Sequence, residues 1–268
     1  MRVTVITPSL NQGAFIGDCL RSVHEQTHRD IEHLVIDGMS TDRTAEIAAA
    51  FPCRFLRSRD SGPAQAINRG LELATGEIVC WLNTDDAFWS TRTLERVVQL
   101  FEEQPQVDVI TGNGYYMDEN GVLAVPIAEP PNRYCLPWLR RVDSLLQPAT
   151  FWRRNAIRLD ESLAYVFDWK LWIEFWEAGF NFAYVPEYFG LYRLHAGSLT
   201  QTDTARRRKE LLQMATQYDK RKTQIAWCWL VFKTFQLSEA IHSTRLKGFA
   251  ALWNSRMKVA TGGRIGSF

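Results

Sequence analysis

The chain of 268 residues carries 31 basic and 30 acidic side chains, five cysteines and ten tryptophans, with 46% hydrophobic and 23% charged residues. That length suits one large domain or one domain with an appendage, since single cores stop growing near ~250–300 residues, and the balance is that of a soluble globular protein. The cysteines (Cys19, Cys53, Cys80, Cys135, Cys228) are odd in number and lack CxxC spacing, which argues against a disulfide framework or a zinc site and for a reducing compartment.

The N-terminus, "MRVTVITPSLN", enters a strand pattern directly, with no long apolar leader; the expectation is a cytoplasmic protein. Over the first hundred residues short β-rich runs alternate with helical segments: "RVTVIT", 14–26, "HLVID", 42–50, "CRFLRS", 63–74, "EIVCWL" and 92–103. Such alternation predicts βαβ units around a largely parallel sheet. If the strands are parallel, Asp37, Asp60 and the adjacent Asp85 and Asp86 converge on one sheet edge, the edge where open α/β sheets bind ligands.

Beyond residue 104 the pattern changes to two strands, "VDVITGNGYYM" and "GVLAVPI", joined by a turn at Asp118–Gly121. The Pro-rich "PIAEPPNRYCLPW" reads as an irregular loop over the site. "SLLQPATFWRR" is a further extended piece, "DWKLWIEFWEAGF" a short helix stopped at Gly179, and "FAYVPEYFGLYRLH" a return to strand. Ten tryptophans exceed what a core needs and suggest ligand stacking or a membrane interface.

After Thr200 the chain turns helical and basic: residues 204–268 hold 13 basic and 3 acidic side chains, against 18 and 27 in 1–203. That asymmetry asks for an anionic partner. The apolar run 225–232 is broken by Lys233, well short of the ~20 residues that span a bilayer. Trp and Phe beside Lys and Arg suit a helix lying in the plane of an anionic membrane surface, with no nucleic acid involved. Packing on the domain, or a homodimer, is the competing reading.

Adjacent carboxylates at a strand end can hold Mg²⁺ or Mn²⁺, with a nucleoside diphosphate as co-ligand. The first strand-to-helix turn, "TPSLNQGAF", has one Gly where a dinucleotide fingerprint needs three, and no GK[ST] follows any strand. Rossmann oxidoreductase and P-loop readings weaken accordingly. The five histidines form no HxxxH pair, so a zinc hydrolase is poorly supported.

Six segments in order over residues 3–200 resemble the family 2 glycosyltransferases of the GT-A fold, closest to bacterial enzymes of surface and extracellular polysaccharide synthesis. They are "TPSLNQGAFIGDCLRSVHEQT", "EHLVIDGMSTDRT", "SRDSGPAQAINRGLELATGEIVCWLNTDD", "QPATFWRR", "FDWKLWIEFWEAGF" and "YRLHAGS". The resemblance implies a Rossmann-like, mostly parallel mixed sheet flanked by helices. It implies a GT-A domain over 1–203, with a nucleotide-sugar half (1–104) and an acceptor half (105–203), followed by a helical extension, 204–268.

It further implies a metal-dependent, inverting transfer from a nucleoside-diphosphate sugar, with UDP the expected nucleotide, to a glycan or lipid-linked glycan at the inner membrane face. Thr7 and Pro8 would line the base pocket, Asp37 would bind the base, and Asp60 and Asn68 would contact the donor. "NTDD" looks like a variant DxD motif, with Asp85 on ribose or sugar and Asp86 on Mn²⁺ or Mg²⁺, His195 standing near the metal or diphosphate. Asp168 matches the catalytic base, with Phe167 replacing the Glu that usually precedes it; a helix cap is an alternative job for this Asp. Gln147 and Trp169 are the acceptor-side candidates. Met39 stands where related sequences often carry Gly. Two other classes stay open: a nucleotidyltransferase acting on sugar phosphates, and a non-catalytic glycan-binding module.

Overall fold

The computed structural model describes residues 1–127, 139–140, 143–198 and 204–218. The first half delivers the expected alternation: β1 (Val3–Ser9), α1 (Ile16–His24), β2 (Ile31–Asp37), α2 (Thr44–Ala48), β3 (Arg54–Arg57), α3 (Pro63–Leu73) and β4 (Ile78–Trp81). A two-residue strand β5 (Ala87–Phe88), α4 (Thr93–Glu103) and the hairpin β6 (Val109–Met117) and β7 (Leu123–Ile127) follow. The second half adds β8 (Thr150–Arg153), α5 (Phe167–Glu177), β9 (Phe182–Arg193) and α6 (Thr204–Tyr218).

Local chemistry accounts for the elements. In α1 the residues Ile16, Cys19, Leu20 and Val23 recur at helical spacing and are the buried ones. Pro63 opens α3, where a missing N–H costs nothing. Gly179 lies just past the end of α5 at φ +84°, a left-handed conformation that glycine adopts without penalty. β1 is buried along its whole length, as befits a central strand covered on both faces.

Among the described residues one mixed sheet runs in the order β3-β2-β1-β4-β8-β6-β9-β5, with β7 paired to β6. β3, β2, β1 and β4 are mutually parallel; β8 is antiparallel to both β4 and β6, and β9 runs parallel to β6. The parallel quartet therefore presents the C-terminal ends of β1, β2, β3 and β4 along one edge.

Among the described residues four of the six tryptophans, Trp81, Trp152, Trp169 and Trp172, are core residues, which for these four corrects the expectation of ligand stacking. The rings of Trp81 and Trp172 stack at 5.5 Å and 3°, and Trp152 meets each edge-on at 5.5 and 5.7 Å. All three side chains are essentially excluded from solvent. They fill the wide space where α5 crosses the junction of β4 and β8, a volume that smaller residues would leave as cavities.

Helix α6, counted above with the extension, packs on the body instead. Met214 is 1% exposed and joins the main core cluster, with Leu211 and Tyr218 packed against it. Among the described residues no helix is long and apolar enough to cross a membrane. The loop expected over 128–138 and the apolar run 225–232 lie outside the described residues.

Candidate functional site

The loops after β1 and β2 interlock. Asn11 donates its backbone N–H to Ser40 Oγ at 2.8 Å, its side-chain oxygen accepts from the Thr41 N–H at 2.9 Å, and Gly13 N–H reaches Asp42 Oδ2 at 2.8 Å. This stitching holds the ends of β1 and β2, where Ser9 and Asp37 are direct neighbours in register.

Asp37 is fully buried. Its Oδ2 accepts from Ser40 N–H at 3.0 Å and from Arg57 Nε at 3.3 Å, but its Oδ1 has no partner, and neither has the buried Ser9 Oγ. Buried polar atoms are almost always paired, so two orphans at neighbouring strand ends mark a place for hydrogen-bonding groups from outside the chain. Asp60 joins them: its Oδ2 would stand 3.1 Å from a Cβ on Gly38. Burial first, and then the charge of Asp37, pushes the Asp60 carboxyl up.

Thr7, expected to line this pocket, does not. It is fully buried on the α1 side of the strand, its hydroxyl 2.9 Å from His33 Nε2 and 3.8 Å from Cys19 Sγ. Ser9, at the C-terminal end of β1, has its buried hydroxyl without a partner. Pro8 is buried as well. Asn68 is also consumed structurally: its amide donates to Leu159 O and Glu161 Oε1, both at 2.9 Å, and its oxygen accepts from Leu159 N–H at 2.9 Å. It pins the 159–161 segment to α3.

Met39 occupies the left-handed region at φ +70°, which explains why glycine suits that position. Its side chain is 43% exposed. The conformation costs a non-glycine residue about 1–2 kcal/mol, partly offset by the roughly 0.5–1 kcal/mol that glycine loses in chain entropy. Met39→Gly is therefore expected to raise stability by up to about 1 kcal/mol in urea unfolding; a loss of stability would mean that Met39 makes contacts worth more than its strain.

The two acids after β4 differ in burial. Asp86 is 2% exposed, and both its oxygens are taken: Oδ1 by the Arg193 backbone N–H at 2.9 Å, Oδ2 by Asn83 Nδ2 at 3.2 Å. Burial, then the charge of Asp85, drives its carboxyl well above the usual range. Asp86 thus ties the loop to β9. Asp85 is more open, its side chain 20% exposed, and its Oδ2 lies 3.0 Å from His195 Nε2. A carboxylate oxygen and an imidazole nitrogen side by side are a donor pair suited to a divalent cation such as Mn²⁺.

Arg193, unmarked in the sequence except as a letter in "YRLH", organises this region. It is 2% exposed, donates through Nε to Asp85 O at 2.7 Å and through Nη1 to Glu119 O at 3.1 Å, and pairs with Asp18 through Nη2 at 3.0 Å. Its guanidinium stands 5.1 Å from the Phe15 ring centroid, and that ring is 4.4 Å from the His195 ring. α1, the acidic loop, the β6–β7 turn and the end of β9 are thereby held together by one buried cation. Gln147 belongs to the same scaffold and not to an acceptor site, being 8% exposed with Nε2 on Trp81 O at 2.7 Å and Oε1 accepting from Asn83 at 3.0 Å.

Asp168 lies in the first turn of α5, where its Oδ1 accepts from the Trp169 N–H at 2.8 Å. Burial, opposed by that N–H and by Arg207, pushes its carboxyl up to about 6. Phe167 packs on Trp81 with ring centroids 6.3 Å apart, so the position before Asp168 faces the core and a Glu there would be buried. A second carboxylate comes from elsewhere: burial by its neighbours and the charge of Asp168 push Asp143 well up, although the residue as a whole keeps an exposed edge. Trp169 is not a stacking platform; it is 2% exposed, with its indole N–H on Leu139 O.

A parallel-edge α/β sheet with an orphaned acid at β2, an acid–histidine pair beyond β4 and a raised carboxyl at α5 is the class of site that fits a phosphorylated ligand and an attacking hydroxyl. The family model for glycosyl transferase family 2 matches residues 4–158. This chain belongs to that family. It is 36% identical over 116 residues to a PGL/p-HBAD biosynthesis glycosyltransferase of Mycobacterium bovis (strain BCG / Pasteur 1173P2), a match covering 41% of this chain and 45% of the relative. The chain thus spans about half the length of the curated relatives it matches.

Two solved structures share the GT-A architecture. Staphylococcus aureus TarS 1–349 in complex with UDP-GlcNAc superposes with a TM-score of 0.66 at 18% identity, over 85% of this chain and 70% of that one. The mannosyltransferase PcManGT from Pyrobaculum calidifontis, in complex with GDP-Man and Mn²⁺, gives 0.62 at 19% identity, over 94% and 80%. The expected fold class is thereby established.

Proposed function

We propose that the chain transfers a sugar, with inversion, from a nucleoside-diphosphate sugar, UDP being the expected nucleotide, to a glycan or lipid-linked glycan hydroxyl. The observation that carries this reading is the orphaned pair Asp37 Oδ1 and Ser9 Oγ on the sheet edge that also bears Asp85 and His195. An acceptor and a hydroxyl side by side match the mixed donor and acceptor edge of a nucleobase. Sugar nucleotides in the two neighbouring structures, one with Mn²⁺, support the same ligand class.

Asp85 and His195 would hold Mn²⁺ or Mg²⁺. Among the described residues no group of three or more His, Cys, Asp or Glu could enclose an ion. Two protein ligands suffice for a cation that completes its shell with diphosphate oxygens and water. A cation bound there offsets the charge that builds on the departing diphosphate. Asp168 accepts the proton of the acceptor hydroxyl as that oxygen bonds to the anomeric carbon and the bond to the diphosphate oxygen breaks. Attack opposite the leaving group inverts the anomeric centre. Asp60, beside Gly38, faces the donor, while the basic remainder of the chain, 219–268, meets an anionic membrane surface.

The test is incubation with a panel of UDP-, GDP- and dTDP-hexoses and Mn²⁺ or Mg²⁺, following free nucleoside diphosphate. Release that needs the cation, with one nucleotide preferred, is expected. Pyrophosphate release from nucleoside triphosphate and sugar phosphate would replace this reading with nucleotidyl transfer, and binding without turnover would leave a glycan-binding module.

A further inference from the structure

We infer that helix α6 is a working part of the catalytic unit, with Glu210 a positioning residue that fixes the segment carrying Asp168. The inference rests on the reading of Asp168 as the base. Glu210 is 5% exposed, and its carboxylate accepts from the backbone N–H of Ala164 at 3.0 and 3.1 Å and of Tyr165 at 2.8 Å. Those amides lie three and four residues before Asp168, in the turn that leads into α5.

Main-chain amides so close to a helix start need acceptors, and the N-cap residue, Val166, supplies no side-chain one. The acceptor is imported from 45 residues downstream. Arg206, one turn earlier on α6, donates to Glu210 Oε1 at 3.1 Å and steadies the carboxylate. Glu210, Met214 and Tyr218 recur at intervals of four and so share a face. Met214 is buried, and Tyr218 senses Lys170 and Glu174 on α5. The charge of Arg207 opposes the upward push on both Asp168 and Asp143.

A buried carboxylate gripping two backbone amides is a rigid clamp, since charge-assisted bonds are about twice as strong as neutral ones. Letting the segment slip by about 1 Å would move Asp168 off the acceptor oxygen, a displacement that can cost on the order of 10²-fold in rate. The face of α6 that looked like the start of a basic tail thus serves the base.

In the full chain, Glu210→Ala is expected to lower nucleoside diphosphate release roughly 10- to 100-fold while the Kd for UDP with Mn²⁺ stays within about twofold. Glu210→Gln, which keeps an acceptor oxygen, should recover most of the rate. Amide hydrogen exchange at Ala164 and Tyr165 should quicken in Glu210→Ala and stay slow in Glu210→Gln. Unchanged turnover in Glu210→Ala beside an inactive Asp168→Asn would overturn the positioning role and leave the base reading intact. Full activity of Asp168→Asn would remove the base reading, and this inference with it. Equal losses of UDP affinity and turnover would reduce Glu210 to a global stabiliser and overturn the inference.

Should Glu210→Ala not fold, Arg207→Met tests α6 through the charge it brings toward Asp168. With Asp143 as its remaining charged neighbour, Asp168 should then titrate above about 6 and the ascending limb of the pH–rate profile should move up; an unmoved limb would overturn the involvement of α6.

Discussion

Asp168→Asn is expected to reduce turnover by about 10²–10⁴-fold, with nucleotide affinity unchanged. The substitution is clean because the two oxygens of Asp168 do different jobs. Oδ1 accepts from the Trp169 N–H, and an amide oxygen can keep that bond. Oδ2 is the oxygen that the Trp169 N–H does not engage, the one proposed to take the acceptor proton, and an amide nitrogen in its place cannot receive one. Capping and catalysis therefore separate in this variant. If Asp168 only caps α5, Asp168→Asn would remain active and stable.

The same residue sets a pH dependence whose sign follows from its environment. Burial pushes its carboxyl up to about 6, from an ordinary value of 3.8. The base form is the carboxylate, so activity is present above about 6 and is lost as pH falls through it, about tenfold per unit once protonation dominates. A base of ordinary carboxylate strength would hold full activity to below pH 5. The initial rate of diphosphate release across pH 4.5–8 distinguishes the two, and a flat profile down to about 5 would mean either that Asp168 is not the base or that chemistry is not the slow step.

The second large effect separates the two adjacent acids. Asp85→Asn is expected to lower cation-dependent turnover by about 10²-fold, the loss of part of a metal's charge stabilisation, with thermal stability in the absence of metal nearly unchanged. Its side chain is partly open and its partner is the ring of His195, so little of the core depends on it. Asp86→Ala should do the reverse first. Removing that buried carboxylate orphans the Arg193 backbone N–H and Asn83 Nδ2, at a cost of about 1–3 kcal/mol for each buried group left unpaired. Turnover falls too, as a consequence of a loosened loop.

Thermal unfolding with excess chelator, followed by a Mn²⁺ titration, reads the difference. Asp85→Asn should lose the metal-induced shift from a normal starting point in the presence of UDP. Asp86→Ala should start low and retain a shift. The opposite pattern would restore the metal to Asp86 and make Asp85 the ribose or sugar contact.

The edge of the sheet that carries the site was legible in the sequence, because β-strand character and the turn after each strand are local properties. "HLVID" must end on Asp37 and "EIVCWL" must run into "NTDD" whatever else the chain does, and alternation with helices leaves few topologies other than parallel strands. The resemblance to the family came from those same local segments. Their direction was not local. Thr7 and Ser9 differ by two residues and should share a face on an ideal strand, yet Thr7 is held inward by His33 and Cys19 at the centre of the sheet while Ser9, at its end, is left without a partner.

Of two consecutive aspartates, which one faces outward depends on the Arg193 N–H that β9 brings from over a hundred residues away. Gln147, Asn68 and Trp169 looked like ligand contacts because their side chains can make them; tertiary contacts had already used every one of those groups. Glu210 carried no signal at all, since an acid in a basic helix reads as a solvated charge until α6 is laid against the amides of Ala164 and Tyr165. The sequence by itself determined the fold class, because periodicity and turn chemistry are local to the chain, and its motifs carried the resemblance that pointed to the family. Only the tertiary structure decided which acid is free and which is bound, because a side chain's availability depends on the hydrogen-bond partners that distant segments bring to it.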